Sequence, residues 1–232
     1  MAEWILIGAP VRQKPLILAC FLQSLRALRR EGLEVDYFFI DDNEEQSASQ
    51  LLATFATENP RVFVERVEPA GEYVCDGVTH RWSRELVWRV AAHKNRLIAA
   101  ALEQGYDRLF LVDSDLVLHP ATLLQLCATG KEIVAEIFWT EWQPGCGKLP
   151  QVWGCDHYTL YEVLPGERVA PEEALLRQQR WLERLAEPGL YRVGGLGACT
   201  LIARGVLEKG IDFSPLYNLS FWGRTATSVC AP

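Results

Sequence analysis

The chain has 232 residues, 49% of them apolar, and a formal net charge of −7 from 30 acidic against 23 basic residues. That is enough for one packed domain, or one domain with appended elements. The acidic balance and the lack of any Lys/Arg run argue against a nucleic-acid face, so an anionic substrate would have to be met by a metal or by a few placed cations.

Trp4–Pro10, "WILIGAP", is a short apolar run stopped by Gly-Ala-Pro and reads as a buried strand. Pro15 opens a helix with an apolar stripe of Ile17, Cys20, Phe21, Leu25 and Leu28, stopped at Gly32; Arg26, Arg29 and Arg30 form its solvated face. Val35–Asn43, "VDYFFIDDN", is a second strand ending in two carboxylates, and Ser47 caps a helix carrying Leu51, Leu52 and Phe55. Arg61–Val67 alternates as a third strand, and Glu68–Arg81 is a loop. A long helix from about Ser83 to Gln104 follows, its stripe running from Leu86 to Leu102 with Lys94 inside it. Then come "YDRLFLVDSDLVLHP" (a fourth strand), a helix from Pro120 to about Ala128, and a strand over Glu132–Phe138. From Thr140 the pattern loosens into a loop rich in Gly, Pro and Trp, a charged helix from about Pro171 to Glu187, and "YRVGGLGACTLIARGVLEKG" with a tail.

Alternating strands and helices imply an α/β fold, a mostly parallel sheet covered on both faces. Strand carboxyl ends converge on the ligand crevice of such sheets, which puts Pro10, Asp41 and Asp113 near one site. Asp113 and Asp115 stand one residue apart at a strand end. Each alone reads as a turn residue. Together they repel unless a cation lies between them, and hard ions such as Mg²⁺ or Mn²⁺ bridge carboxylates to phosphates. A second reading of the same residues resembles the first motif of haloacid-dehalogenase-type phosphatases, with Asp113 as nucleophile and Asp115 as general acid/base. That motif usually sits on the first strand, whereas three strand-like segments precede it here.

The order "ILIGAPVRQ", "FFIDDN", "AAHKNRLIAAALEQGYDRLFLVDSDLVLHP", "VGGLGACTLIAR" resembles a GT-A-fold glycosyltransferase of the family 2 type, over roughly residues 3–223. The resemblance implies a three-layer α/β/α sandwich and sugar transfer from a nucleotide-diphosphate donor with Mn²⁺ or Mg²⁺. A UDP-sugar is favoured over GDP-mannose. The acceptor is a saccharide, lipid or protein, and direct displacement would invert the anomeric carbon. By position, Ala9, Pro10, Val11 and Arg12 match the loop that holds base and ribose, and Asp41 the acid that contacts them. Lys94 and Asn95 match donor-facing helix positions. Asp113 matches the acid nearer the ribose, Ser114 lies between the pair, and Asp115 matches the metal ligand on the diphosphate. Gly194, Gly195 and Gly197 match a glycine-rich turn near donor sugar and acceptor. Residues 1–232 would form one domain, about 1–119 the nucleotide-sugar half and about 120–232 the acceptor half.

For Lys94 the residue-level alternative is a snorkelling stem at the end of the core, and for the glycines it is tight packing. Trp139, Trp142, Trp153 and Trp222 are either partly buried core or faces for a sugar. Where relatives read roughly Trp-Gly-Glu-Asp, with the catalytic base, this chain reads "SFWGRTATSVCAP", and Asp212 stands too early. A frame offset by one base across Thr225–Pro232 can read Asp-Arg-His-Phe-Cys-Val-Arg-Ala, the kind of sequence relatives carry there. Without the base, a protein that binds nucleotide-sugar but does not turn it over is the other reading.

No segment reaches the ~18 apolar residues of a membrane span, and Trp4–Ala9 is too short and lacks the basic leader of a signal peptide. Seven cysteines are an odd number, and Cys20, Cys127 and Cys199 lie in apolar elements, which predicts buried thiols in a reducing cytoplasm. Cys146, Cys155 and His157 lack a paired C-x-x-C and a fourth ligand, so zinc is not expected.

Overall fold

The computed structural model describes residues 2–69, 83–141, 145, 147–155, 159–164, 166–195 and 197–214. Its main sheet has the strand order β3-β2-β1-β4-β8-β5. The first four strands in sequence, β1 (Glu3–Val11), β2 (Leu33–Asp41), β3 (Val62–Arg66) and β4 (Arg108–Val112), are mutually parallel. Strand β8 (Cys199–Ala203) runs antiparallel to both β4 and β5 (Ile133–Ala135). Strands β1 and β4 are buried on both faces, which is why they read as continuous apolar runs rather than alternating ones.

Two cores follow from the pleat. Ile5, Ile7, Tyr37, Phe39, Phe110 and Leu201 pack under helices α1 (Pro15–Arg26), α2 (Gln46–Glu58) and α4 (Thr122–Ala128). Leu6, Phe38, Ile40, Leu109, Leu111 and Ile202 pack under α3 (Arg84–Gln104) and α6 (Arg204–Leu207). The result is the expected three-layer α/β/α sandwich with a mostly parallel sheet. Helix α3 begins at Ser83, whose hydroxyl accepts from the Leu86 N–H at 3.1 Å, and stops at Gly105, which takes φ 83°. It lies tightly on the sheet at Gly8, where an added Cβ would come within 3.0 Å of Leu97 Cδ1.

Several local expectations change. The buried stripe of α1 is Leu18, Phe21, Leu22 and Leu25, so Cys20 is exposed rather than buried. The choice of Ile17 and Cys20 was out of phase with the face that meets the sheet. The helix ends at Arg26, and Arg29 and Arg30 lie past it. Ser47 falls inside the first turn of α2, whose N-cap is Glu45 without a side-chain cap bond. The strand expected over Glu132–Phe138 shortens to β5. Two short strands, β6 (Trp139–Thr140) and β7 (Leu149–Pro150), pair within the region read as loop. Helix α5 (Pro171–Ala186) buries only Trp181 and Leu185, which join Val152, Ile137, Leu160 and Val193 in a satellite core. Most of the Glu68–Arg81 loop, Cys146, His157, Trp142, Trp222 and the "SFWGRTATSVCAP" end lie outside the described residues. Among the described residues, no helix is long and apolar enough to cross a membrane.

Candidate functional site

Parallel β1, β2 and β4 bring their carboxyl ends to one edge of the sheet. Val11 pairs with Asp41, and Asp41 with Arg66. Strand β8 runs the other way, so its first residue, Cys199, pairs with Val112, the last of β4. Ala198, just before β8, therefore reaches the same edge, and the Asp113 N–H donates to its carbonyl at 2.8 Å.

Asp113 is the first residue beyond β4. Its Oδ1 lies 3.1 Å from the ammonium of Lys94, which is only 8% exposed on the inner face of α3. The Lys94 ammonium also stands 5.6 Å from the centroid of the Phe213 ring. The Asn95 side-chain oxygen accepts from the Phe213 N–H at 2.7 Å, so α3 supplies both a cation and an anchor for the segment that covers it. A lysine this deep needs a partner, and Asp113 is that partner. The Lys94 stem does not run out to solvent, so it is not a snorkelling side chain at the end of the core. Ser114 is buried and Asp115 is exposed on a turn closed by the Leu116 N–H to the Asp113 carbonyl, 3.3 Å.

Among the described residues no group of three or more His, Cys, Asp or Glu could hold a metal. Two carboxylates one residue apart offer only hard oxygen donors. That suits an ion completed by substrate phosphate and water, which needs just one or two protein carboxylates.

The end of β2 is a second charged centre. Asp41, 3% exposed, is taken up internally: its Oδ1 accepts from the Asn43 N–H (3.1 Å), Asn43 Nδ2 (2.7 Å) and Ser49 Oγ (3.2 Å) and pairs with Arg66 at 2.8 Å. The neighbouring Asp42, not singled out in the sequence, forms a two-pronged pair with Arg89 at 2.8 and 2.6 Å. His93 Nε2 lies 3.5 Å from Asp42 Oδ2, without a hydrogen bond of good geometry. Burial pushes the Asp42 carboxyl up, but His93 and Arg89 more than reverse this and hold it below the ordinary value. We regard Arg89 as the main partner because its contact is bidentate. The signal was present as Arg89 and His93, four residues apart on the helix that also carries Lys94.

Ala9, Pro10 and Val11 belong to β1 itself and not to a loop after it, because β2 continues to pair with them through Asp41. Ala9 and Val11 are fully buried in the core and Pro10 is partly exposed. The loop starts at Arg12, which pairs with Glu44. The Gln13 N–H donates to Asn43 Oδ1 at 2.8 Å, tying the ends of β1 and β2 together.

The glycines are explained by close packing. A Cβ on Gly194 would stand 2.4 Å from Cys155 Cα, and one on Gly195 2.8 Å from the Trp153 ring. One on Gly197 would stand 2.9 Å from the Gln151 carbonyl. Trp153 is thus a packing partner of this turn, and its carbonyl accepts from the Gly194 N–H at 2.7 Å.

Beside the edge strand β5 lies a cleft of about 1000 Å³ whose lining includes Ile133, Glu136, Ile137, Leu190, Gly194 and Gly195. Glu136, also absent from the sequence candidates, is half-buried just past β5, and burial pushes its carboxyl up, with His119 opposing. The Cys199 thiol is pushed up by burial and, after that, by the charges of Glu136 and Asp113.

No protein-family model and no curated protein matches the chain. Solved structures do. The mannosyltransferase PcManGT from Pyrobaculum calidifontis, in complex with GDP-Man and Mn²⁺, is 14% identical over 90% of this chain and 47% of its own, with a TM-score of 0.45. S. aureus TarS 1–349 is 15% identical over 90% of this chain and 49% of its own, with a TM-score of 0.49. The chain thus spans about half the length of these two solved chains.

Proposed function

We propose that this chain is a glycosyltransferase. It moves a sugar from a nucleotide-diphosphate donor, a UDP-sugar in preference to GDP-mannose, onto an acceptor hydroxyl with inversion. The observation that carries the reading is the buried Lys94–Asp113 pair, 3.1 Å apart, one residue from the exposed Asp115 at the carboxyl edge of the sheet. Ligands of open α/β sheets bind outside that edge. Lys94 is a fixed cation that an incoming diphosphate can share with Asp113. Asp115 and Asp113 are the residues that would hold Mn²⁺ or Mg²⁺, and a bound ion stabilises the charge of the leaving diphosphate. Pro10 and Arg12 would border base and ribose, with Ala9, Val11 and Asp41 buried behind them in the ends of β1 and β2. Asn95 secures Phe213 over Lys94, and the packed Gly194–Gly195 pair would border the donor sugar. In this reading residues 1–119 hold the donor and 120–232 shape the acceptor side. Cys20, Cys127, Cys155 and Cys199 are free thiols, which supports a cytoplasmic setting.

The test is calorimetric titration of UDP and GDP, each with and without Mn²⁺, on wild type and Asp115→Ala. Metal-dependent binding lost in the variant supports the donor site and names the base. No binding of either nucleotide refutes the reading and leaves the Asp113-nucleophile phosphatase to be assayed. Binding without any turnover identifies a nucleotide-sugar-binding protein instead.

A further inference from the structure

We propose that Glu136 is the general base of this transfer, taking the proton from an acceptor hydroxyl held in the cleft beside β5; this rests on the donor site proposed above. Strands β4 and β5 are each antiparallel to β8, hence parallel to one another, with only β8 between them. Asp113 follows β4 and Glu136 follows β5, so both acids emerge at the same edge. Their backbones mark this: Asp113 N–H donates to Ala198 at 2.8 Å and Glu136 N–H to Cys199 at 3.3 Å. Adjacent strands lie ~4.8 Å apart, so the ends of β4 and β5 stand about two strand spacings from each other across β8.

Glu136 lines the cleft together with Gly194 and Gly195, which stand a few residues before the end of β8 that pairs with the end of β4. A volume near 1000 Å³ suits a ligand of several rings. Among the described residues two carboxylates line this cleft, Glu136 and Glu187. Glu187 is exposed at the end of α5, whereas Glu136 is half-buried at the sheet end. Charged groups near Glu136 include His119, which opposes the rise of its carboxyl, and Asp113, whose charge acts with that of Glu136 on the Cys199 thiol, while Lys131, Glu187 and Arg192 line the same cleft. An acid raised toward neutral pH is better matched to accepting a hydroxyl proton. In the step, the acceptor O–H proton passes to the Glu136 carboxylate and the oxygen pair attacks the anomeric carbon. The bond from that carbon to the β-phosphate oxygen breaks, and its electron pair leaves with the nucleoside diphosphate.

The experiment follows nucleoside diphosphate release from UDP-glucose and GDP-mannose with Mn²⁺ and water as acceptor, alongside UDP and GDP titrations, in wild type, Glu136→Gln and Glu136→Asp. Glu136→Gln should lose about 10²–10⁴-fold in rate with nucleotide affinity unchanged, and should lose the acid limb of the wild-type pH–rate profile. Glu136→Asp should keep that limb at a reduced rate, which separates the loss of a base from a loss of structure. Release by Glu136→Gln within about threefold of wild type overturns the assignment, and so does a wild type that binds nucleotide without releasing it. Failure of wild type to bind UDP or GDP refutes the donor site itself and removes the base assignment with it.

Discussion

Replacing Lys94 by methionine keeps the length of the side chain and removes its charge. It leaves the Asp113 carboxylate without its partner cation. At 3.1 Å the pair attracts by about 5 kcal/mol at an effective dielectric of 20, before desolvation is subtracted. Removing one partner of a buried pair costs about 3–5 kcal/mol. The Asp113 side chain keeps 19% of its exposure, and water can relieve part of that charge. The expected loss for Lys94→Met is therefore about 2–3 kcal/mol, or a fall in Tm of about 4–12 °C for a domain of this size. Urea unfolding followed by tryptophan fluorescence, with calorimetry beside it, measures the change without any ligand. Lys94→Met/Asp113→Asn should recover at least about 1 kcal/mol over the sum of the single losses, because neither charge is then left unpaired. A coupling below about 0.3 kcal/mol would show that the two side chains do not depend on each other, and the account of Lys94 as a buried, paired cation would fall.

Two further predictions concern the scaffold. Asp42 has a carboxyl held below its ordinary value of 3.8, so its stabilising contribution is present above that value and disappears as pH falls through the folded-state value. Asp42→Asn should cost about 1–3 kcal/mol at neutral pH, with the gap to wild type closing in acid melts below about pH 4; a gap constant across pH 3–7 would refute the Arg89 and His93 pairing. Gly194→Ala drives a Cβ to 2.4 Å from the backbone of Cys155 and should destabilise by about 1–3 kcal/mol, while Gly205→Ala, with nothing within 4 Å, should be neutral or stabilising. Equal melting temperatures for these two variants would show that the turn is not packed as described.

Parts of the site were readable because they follow from one-dimensional patterns. Lys94 stood out as a charge on an apolar stripe, on a helix expected from about Ser83 to Gln104 and found over Arg84–Gln104. Asp113 and Asp115 ended an apolar run. Asp42 was missed because its neighbour Asp41 accounts equally well for a strand-end acid. Only the approach of Arg89 and His93 on α3 distinguishes them, with Arg89 at 2.6 Å. Glu136 was missed because it was read as the interior of a strand running to Phe138, whereas β5 stops at Ala135. The α1 stripe was out of phase because Ile17 and Leu18 are equally apolar, and only the sheet contact chooses Leu18, 0% exposed against 39%.

By itself the sequence determined the alternation of strands and helices, the parallel sheet that this alternation requires, and the edge to which the chain brings its acids. Those depend on period, length and chain direction, which are local. The tertiary structure decided which acid is spent on structure and which remains at the edge. Asp41 is bound internally by Asn43, Ser49 and Arg66, Asp113 is neutralised by Lys94, and Glu136 is carried to the same edge by a strand that β8 separates from β4. A carboxylate's chemistry is set by the charges and burial around it, and those come from residues distant in sequence.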